Sequence, residues 1–451
     1  MISLLSRARI AILLSLALLS LSLYKTSILG QGQIEQDSDL SIININEELS
    51  VWYVIDEPGE YSITNDYIDL GYDVGILISA DNVILDGMGH MMDSSGAGYA
   101  IYVNNSRNIT IKNFVLSNWS IGIKLEIAYN TSIENINISN CTKGIDIYAS
   151  YMIYVKNTEV MQNTYGIYTE IDCSTLEITN CDIEKNIYGI YLSDAASSII
   201  AFNMIGYNEE CGVYLLDDNG VHVYCNNIIN NSYGIKQEFS RYNYVYINNI
   251  INNTQNYVEK NTYNITYCSP HALRYKYGGV IYKSRLGNYW DDYNGTDQNA
   301  DGIGDSSYHN IDEYPLVEKI ENYTIMWPPK IVKYSPFAKL IEKTVGEKVV
   351  FKIKADQKVT IKWLKNNETI QTKENVKEDT LIITVEEGQL NITVMILNAN
   401  GTDNFTWTII GRPATSPSHF IIGNTDKLIM IGVIIIVIII CVVIILEKRK
   451  S

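Results

Sequence analysis

Short apolar runs recur along the middle of the chain at a spacing too regular for chance. "YAIYV" at 99–103 is followed by "IGIKL" at 121–125, "KGIDI" at 143–147 and "YGIYT" at 165–169. "YGIYL" at 188–192, "CGVYL" at 211–215 and "YGIKQ" at 233–237 continue the series. The second residue of each run is Ala100, Gly122, Gly144, Gly166, Gly189, Gly212 or Gly234, a period of 22 or 23 residues. Within each run the pattern alternates in twos, the period of a strand and not of a helix. A second column keeps step: Asn113, Asn135, Asn157, Asn180 and Asn203, then Asn226 or Asn227 and Asn248 or Asn249. Asn tolerates the left-handed backbone of a tight corner, and its amide can bond the same amide one coil on. A unit this short cannot hold a strand–helix–strand crossover, so it reads as two or three short strands per coil. Stacked coils of this kind make a parallel β-helix; about eight of them between 75 and 260 give a rod on the order of 38 Å long. The pattern sends Ile123, Leu125, Ile145, Ile147, Ile190, Leu192, Val213 and Leu215 inward. It sends Tyr102, Lys124, Asp146, Tyr168, Tyr191, Tyr214 and Lys236 outward.

"WPPK" at 327–330 breaks the repeat. Alternating runs follow: "KVVFKIKA", "VTIKWLK", "TLIITV", "LNITVMIL" and "NFTWTII", separated by polar turns. About seven short strands over this stretch predict a β-sandwich with Trp363 at its centre. The last apolar run, Leu428–Leu446, has no polar interruption and is followed by "EKRK". At 1.5 Å per residue it reaches about 28 Å, enough to span a bilayer with its basic end in the cytoplasm. At the other end Arg7 and Arg9 precede an apolar stretch, Ile10 to Leu23, which reads as a secretory signal cleaved near Gly30. The expected organisation is a signal peptide at 1–30, a β-helix with an N-terminal cap at 31–270 and a closing segment at 271–326. An immunoglobulin-like sandwich at 327–411, a linker at 412–427, a membrane helix at 428–446 and a cytoplasmic tail at 447–451 follow. The fold class is all-β, a parallel β-helix followed by a small β-sandwich and one transmembrane helix. The location is the cell membrane, single-pass, with a large exterior ectodomain.

Composition narrows the partners. The net charge is −17 and the pI about 4.8, which repels phosphate backbones and argues against nucleic acid. Tyrosine is abundant (34) and phenylalanine scarce (7), which suits half-buried sheet faces. Fifteen Asn-x-Ser/Thr sequons, from Asn104 to Asn404, fit an exported glycoprotein. Cys141, Cys173, Cys181, Cys211, Cys225 and Cys268 lie in the ectodomain, Cys441 in the membrane run. Six exported cysteines permit disulfides in many pairings, or free thiols stacked in the core.

"EPGEYSITNDYIDLGYDVGILISADNVILDGMGH" at 57–90 resembles the opening coils of NosD-like β-helix proteins. These belong to a wider group of carbohydrate-binding and sugar-hydrolase β-helices. "LGNYWDDYNGTDQNADGIGDSSYHNIDEYPL" at 286–316 is similar to the segment that closes the same helix. The resemblance covers about residues 45–320. It implies a right-handed winding and a surface or periplasmic location. It also raises copper-site assembly, the task NosD serves in denitrifiers. The five histidines, His90, His222, His271, His309 and His419, are scattered, and the methionines form no Met-x-x-Met cluster, so the spacing of soft-metal ligands is absent.

Candidate chemistry sits on the outward column. Tyr168, Tyr191 and Tyr214 form a ladder of rings suited to stacking on sugars, with Glu170 beside it. The bland alternative is ordinary cross-strand packing. Asp194 and Asp217 lie in adjacent coils, so their carboxyls stand roughly 5 Å apart, the separation of a retaining glycosidase pair. The Gly-His-Gly and Arg-x-Lys signatures of polygalacturonases are absent, as are nucleophile elbows and phosphate loops. In "DQNADGIGD" Asp297, Asn299, Asp301 and Asp305 take positions 1, 3, 5 and 9 of a calcium loop, with Gly302 at the turn and the Ile303 carbonyl at position 7. Tyr308 replaces the bidentate Glu of position 12, so Asp291, Asp292 or Asp312 must complete a Ca²⁺ site. The alternatives are a metal-free clasp and a sugar-reading loop. The leading expectation is a membrane-anchored surface rod that binds glycans or envelope proteins without catalysis. An exported polysaccharide hydrolase or lyase comes second and a copper-assembly accessory protein third.

Overall fold

The computed structural model describes residues 30–34 and 50–413 and divides into two units between Met326 and Trp327. Each coil of the first unit runs through three parallel sheets. Ile121–Glu126 lies in sheet 1, Tyr129–Glu134 in sheet 2 and Asn137–Ser139 in sheet 3; Lys143–Tyr148 then returns to sheet 1. The sheets hold 10, 11 and 10 strands, so the chain is a parallel β-solenoid. Like stacks on like inside it. Ile101, Ile123, Ile145, Ile167, Ile190, Val213 and Ile235 are in register on successive coils, and none is exposed. Burying each contributes about 1.5–3 kcal/mol. The recurring glycine has a steric reason. A Cβ on Gly144 would lie 2.6 Å from the Gly166 carbonyl oxygen and 2.7 Å from a Val160 methyl.

In the central coils the chain turns three corners, and each corner uses one residue in the left-handed region followed by a buried one. In one coil these pairs are Ile127 (φ 53°) with Ala128, Asn135 (φ 56°) with Ile136, and Asn140 (φ 56°) with Cys141. The asparagine column expected from the sequence is two columns. Asn113, Asn135, Asn157 and Asn180 occupy the left-handed position. In the next coils that position passes to Phe202, Cys225 and Ile247. Asn203, Asn226 and Asn248 sit one residue further on, buried, where Phe114 and Ile136 sit in earlier coils. There they form a ladder. The amide of Asn203 donates to Asn226 Oδ1 at 3.0 Å, Asn226 to Asn248 at 3.0 Å and Asn248 to Asn288 at 2.9 Å. A second ladder, Asn163–Asn186–Asn208–Asn231–Asn253, lines the corner between sheets 3 and 1. Each Oδ1 also accepts the backbone N–H of the preceding rung, as Asn208 does from Asn186 at 3.0 Å.

The closing segment ends the first ladder. Asp312, fully buried, accepts from Asn288 N at 2.8 Å, Trp290 Nε1 at 2.9 Å and Tyr314 N at 3.0 Å. Gly287 allows this approach, because a Cβ there would fall 1.9 Å from Asp312 Oδ1. Trp290 stacks on Tyr308 at 4.3 Å.

The second unit departs from the expected sandwich. It is one curled sheet of six strands, not two facing sheets of about seven. "KVVFKIKA" and "VTIKWLK" are halves of a single strand, Lys348–Lys365. Its pairing with Glu368–Thr384 slips between Lys354 and Val359, a bulge that bends the strand and curls the sheet. Trp363 is fully buried and donates its indole N–H to Asp379 at 2.9 Å. The signal peptide, the membrane helix at 428–446, the tail and nearly all of the linker lie outside the described residues. Among the described residues no helix is long and apolar enough to cross a membrane.

Candidate functional site

The outer face of sheet 1 carries a double file of tyrosines. Along Tyr165–Thr169 and Tyr188–Ser193 the glycine and the isoleucine after it are both buried, so strict alternation breaks there and the tyrosines before the glycine and two after it share the outer side. Tyr165 stacks on Tyr188 at 5.2 Å, and Tyr168 packs on Tyr191 at 5.2 Å. Tyr191 meets Tyr214 edge-on at 4.7 Å, and Tyr188 meets Tyr191 edge-on at 5.7 Å. Each end is closed by a cation over a ring: Lys143 Nζ lies 4.0 Å from the Tyr168 centroid and Lys236 Nζ 4.4 Å from that of Tyr214. Sequence reasoning found the Tyr168–Tyr191–Tyr214 file and set Lys236 in the same outward column, but missed Tyr165, Tyr188 and Lys143. The first tyrosine in "YGIY" was the available signal for Tyr165 and Tyr188.

Two residues of the outward column are not open. Tyr214 is only 8% exposed, beneath the Lys236 side chain. Asp146 is 1% exposed because Lys124 and Lys143 close over it at 2.8 and 3.2 Å. Glu170 bonds Lys143 at 2.8 Å. That hydrogen bond holds the Glu170 carboxyl below the usual range. Burial works against the Lys143 charge, yet Glu170 and Asp146 keep its pKa above the ordinary value. Charges on this face are therefore paired, and the rings of Tyr165, Tyr168, Tyr188 and Tyr191 remain half open. A groove of about 400 Å³ adjoins the platform, lined by Gln162, Thr164, Lys185, Ile187 and Glu209 among others. Thr164 and Ile187 immediately precede Tyr165 and Tyr188.

Asp194 and Asp217 stand away from the platform, at the corner leading from sheet 1 to sheet 2. Both are exposed and left-handed (φ 52° and 56°), and Asp194 accepts the backbone N–H of Asp172 at 3.0 Å. Behind them is Asp218, which the sequence reading passed over. It is fully buried; one oxygen accepts from Ala195 N at 2.6 Å and the other has no partner. Burial, then the nearby Asp194 and Asp217, push its pKa well above the carboxylate range.

The Asp/Gly loop is bonded to itself. Asp297 accepts from Asp301 N at 3.2 Å and Gly302 N at 2.8 Å. Asn299 accepts from Asp301 N at 3.0 Å, Asp301 from Ile303 N at 2.8 Å, and Asp305 from Gln298 N at 2.9 Å. The residues expected to complete a calcium site are engaged elsewhere. Asp291 accepts from Asn252 N, Asp292 bonds Asn256 and Tyr308, and Asp312 ends the asparagine ladder. Among the described residues no three His, Cys, Asp or Glu side chains group as a metal site.

The soft-ligand inventory is no closer to copper. His90 pairs with Asp66 at 3.0 Å, His222 stacks on Tyr244 and His309 packs on Tyr308. The six cysteines of the described residues are free, all buried except the half-buried Cys225. Burial pushes Cys141, Cys173 and Cys181 up to about 11, and Cys211 and Cys225 up to about 12, which disfavours the thiolate a metal needs. The donors among the described residues do not fit a copper centre.

A search of curated proteins finds no match. Among solved structures, the chain is similar to the DFA-IIIase of Arthrobacter chlorophenolicus A6, at 13% identity and TM-score 0.31, covering 43% of this chain and 53% of that one. It is also similar to an alginate lyase from Paenibacillus sp. str. FPU-7, at 10% identity and TM-score 0.33, covering 48% and 97%. The A-module of the mannuronan C-5 epimerase AlgE6 of Azotobacter vinelandii matches at 13% identity and TM-score 0.26, covering 46% and 80%. The chain thus spans about half the length of the DFA-IIIase. The model of one family, described as periplasmic copper-binding protein (NosD), matches residues 62–295, just over half of the chain. With that match and its parallel β-solenoid, the chain belongs to the NosD family.

Proposed function

We propose that the protein is an exported, membrane-anchored rod that binds glycans or envelope proteins on the outer face of sheet 1 and does no chemistry on them. The carrying observation is the platform of Tyr165, Tyr168, Tyr188, Tyr191 and Tyr214, closed at both ends by lysines and edged by a polar groove. Aromatic faces pack on the C–H faces of sugars, and rigid rings bind at little entropic cost. The paired charges of Lys124 and Lys143 with Asp146 and Glu170 leave the face nearly neutral, which suits an uncharged sugar chain better than a polyanion. A right-handed winding and anchoring through 428–446 belong to the same reading, as does a structural calcium ion at Asp297, Asn299, Asp301, the Ile303 carbonyl and Asp305. The enzymatic alternative, a hydrolase or lyase, takes its support from Asp194 and Asp217, two exposed carboxylates in adjacent coils.

The test is a polysaccharide panel scored for binding and for sugar release. Combined Tyr168→Ala, Tyr191→Ala and Tyr214→Ala substitutions should abolish binding while the circular dichroism of the rod is kept. Binding that survives the triple substitution removes this face from consideration. Sugar release that is lost in Asp194→Asn or Asp217→Asn would establish the enzyme instead.

A further inference from the structure

The second unit turns a row of lysines outward that nothing in it neutralises. Along Lys348–Lys365, Val349, Phe351, Ile353 and Ala355 are buried, so the alternate residues Lys348, Val350, Lys352 and Lys354 face solvent. The adjoining strands extend this face. Lys333 lies directly opposite Lys354 on one side, and Ile382 lies opposite Val350 on the other. Val350 and Ile382 are 42% and 59% exposed, an apolar pair set among the lysines. No ion pair engages Lys333, Lys348, Lys352 or Lys354 among the described residues; the one acid in register with them is Glu378, opposite Lys354. Like charges placed directly across a sheet destabilise it. In a chain of net charge −17, an unneutralised lysine row fits an anionic partner better than a solvated surface does.

We propose that this face docks on the anionic phosphate headgroups of a phospholipid bilayer, with Val350 and Ile382 dipping between them. The proposal rests on the reading of Leu428–Leu446 as a membrane span. The last strand of this sheet ends at Arg412, and only residues 413–427 separate it from that span. Fully extended, such a linker reaches about 50 Å, so the sheet never leaves the neighbourhood of the bilayer. The row from Lys348 to Lys354 is about 20 Å long, a flat strip that several headgroups can line. Each lysine at an anionic surface strengthens binding about fivefold, and the attraction fades beyond about 8 Å at physiological salt. Docking therefore requires contact and not mere tethering.

The experiment uses the full chain reconstituted into vesicles, either phosphatidylcholine alone or phosphatidylcholine with phosphatidylglycerol. Amine acetylation read by mass spectrometry reports each lysine, with the exposed Lys260 of the first unit as internal reference. Carbonate extraction followed by flotation reports the anchor separately. Acetylation of Lys333, Lys348, Lys352 and Lys354 should slow at least fivefold relative to Lys260 in the anionic vesicles and not in the neutral ones. Combined Lys352→Ala and Lys354→Ala should weaken docking about 25-fold and restore fast labelling at Lys333 and Lys348. If the chain resists carbonate yet all four lysines label equally in both lipids, the docking face is refuted and the anchor stands. Should carbonate strip the chain, the anchor reading falls; docking then survives only if the unextracted chain floats with anionic vesicles alone. Protection in neutral vesicles that grows with protein density would assign the face to a second copy and overturn the proposal.

Discussion

The Asn163–Asn253 ladder makes a quantitative demand on the rod. Asn208 is 1% exposed and makes four side-chain hydrogen bonds. Its Oδ1 accepts from Asn186 N at 3.0 Å and Asn186 Nδ2 at 3.2 Å; its Nδ2 donates to Ile183 O at 3.2 Å and Asn231 Oδ1 at 2.9 Å. Asn208→Ala leaves the Asn186 backbone N–H buried without a partner, at about 1–3 kcal/mol. Asn186 Nδ2 keeps Val160 O, and Asn231 Oδ1 keeps the Asn208 backbone N–H, so those losses are partial. Together the substitution should cost about 2–4 kcal/mol. Asn253 ends the ladder half-buried, where water replaces lost partners, and Asn253→Ala should cost about 1 kcal/mol or less. Repeat arrays lose strict two-state behaviour, so native-state hydrogen exchange is the assay of choice. Amides of residues 160–235 should lose protection in Asn208→Ala while those of 74–104 keep it. A loss below about 0.5 kcal/mol at Asn208, or equal losses at Asn208 and Asn253, would refute the view that the ladder holds the corners.

Ile127 sits left-handed at φ 53° and 49% exposed, a backbone state that costs a β-branched residue about 1–2 kcal/mol. Ile127→Asn, which copies Asn105 one coil earlier, should stabilise the rod by about 1 kcal/mol, read as a higher denaturant midpoint; a lower midpoint counts against strain. Asp218 should make the rod less stable as pH rises. Its unfolded carboxyl ionises near 4, about the ordinary Asp value. The folded one holds its proton to a well higher pH, so the unfolded state binds fewer protons across that window and stability falls. Asp218→Asn should flatten this fall in urea midpoints between pH 4 and 8, and an unchanged slope would clear Asp218 of the effect. If the Asp/Gly loop holds calcium, a hundredfold excess over its dissociation constant adds about 2.7 kcal/mol. Chelation should then loosen 240–320 in hydrogen exchange and leave 100–200 protected; identical melting in calcium and in chelator leaves the loop a clasp.

The solenoid was legible because its coil is written in one recurring glycine and two inward apolar positions, and register forces like onto like. The asparagine ladders were half legible. Asn113 and Asn203 share a spacing, but one is chosen for its backbone and the other for its buried amide, and spacing alone does not separate these uses. The second unit misled because alternation runs unbroken through Lys348–Lys365, and a bulge that bends one strand looks in sequence like the gap between two. Tyr214 and Asp146 were read as open because alternation gives the side of a sheet, not whether a lysine stem from the same or a neighbouring coil lies across it.

The corners also set how such a rod can change length. Most coils take 22 residues, but the step from Tyr165 to Tyr188 takes 23, and so does the step from Tyr188 to Cys211. The strands around both stay in register. The extra residues fall at corners, near Ile171 and at Glu209–Glu210, where exposed backbone has room. A single-residue insertion is thus absorbed at a bend, whereas inside a strand it would turn every inward Ile to solvent. Whole coils are freer still. Each ladder amide accepts from the coil before and donates to the coil after, so a duplicated coil brings one matching socket and one matching plug. Gene duplication could lengthen or shorten the rod in steps of about 4.8 Å, with the Asp312 terminus reused unchanged at the end of every version.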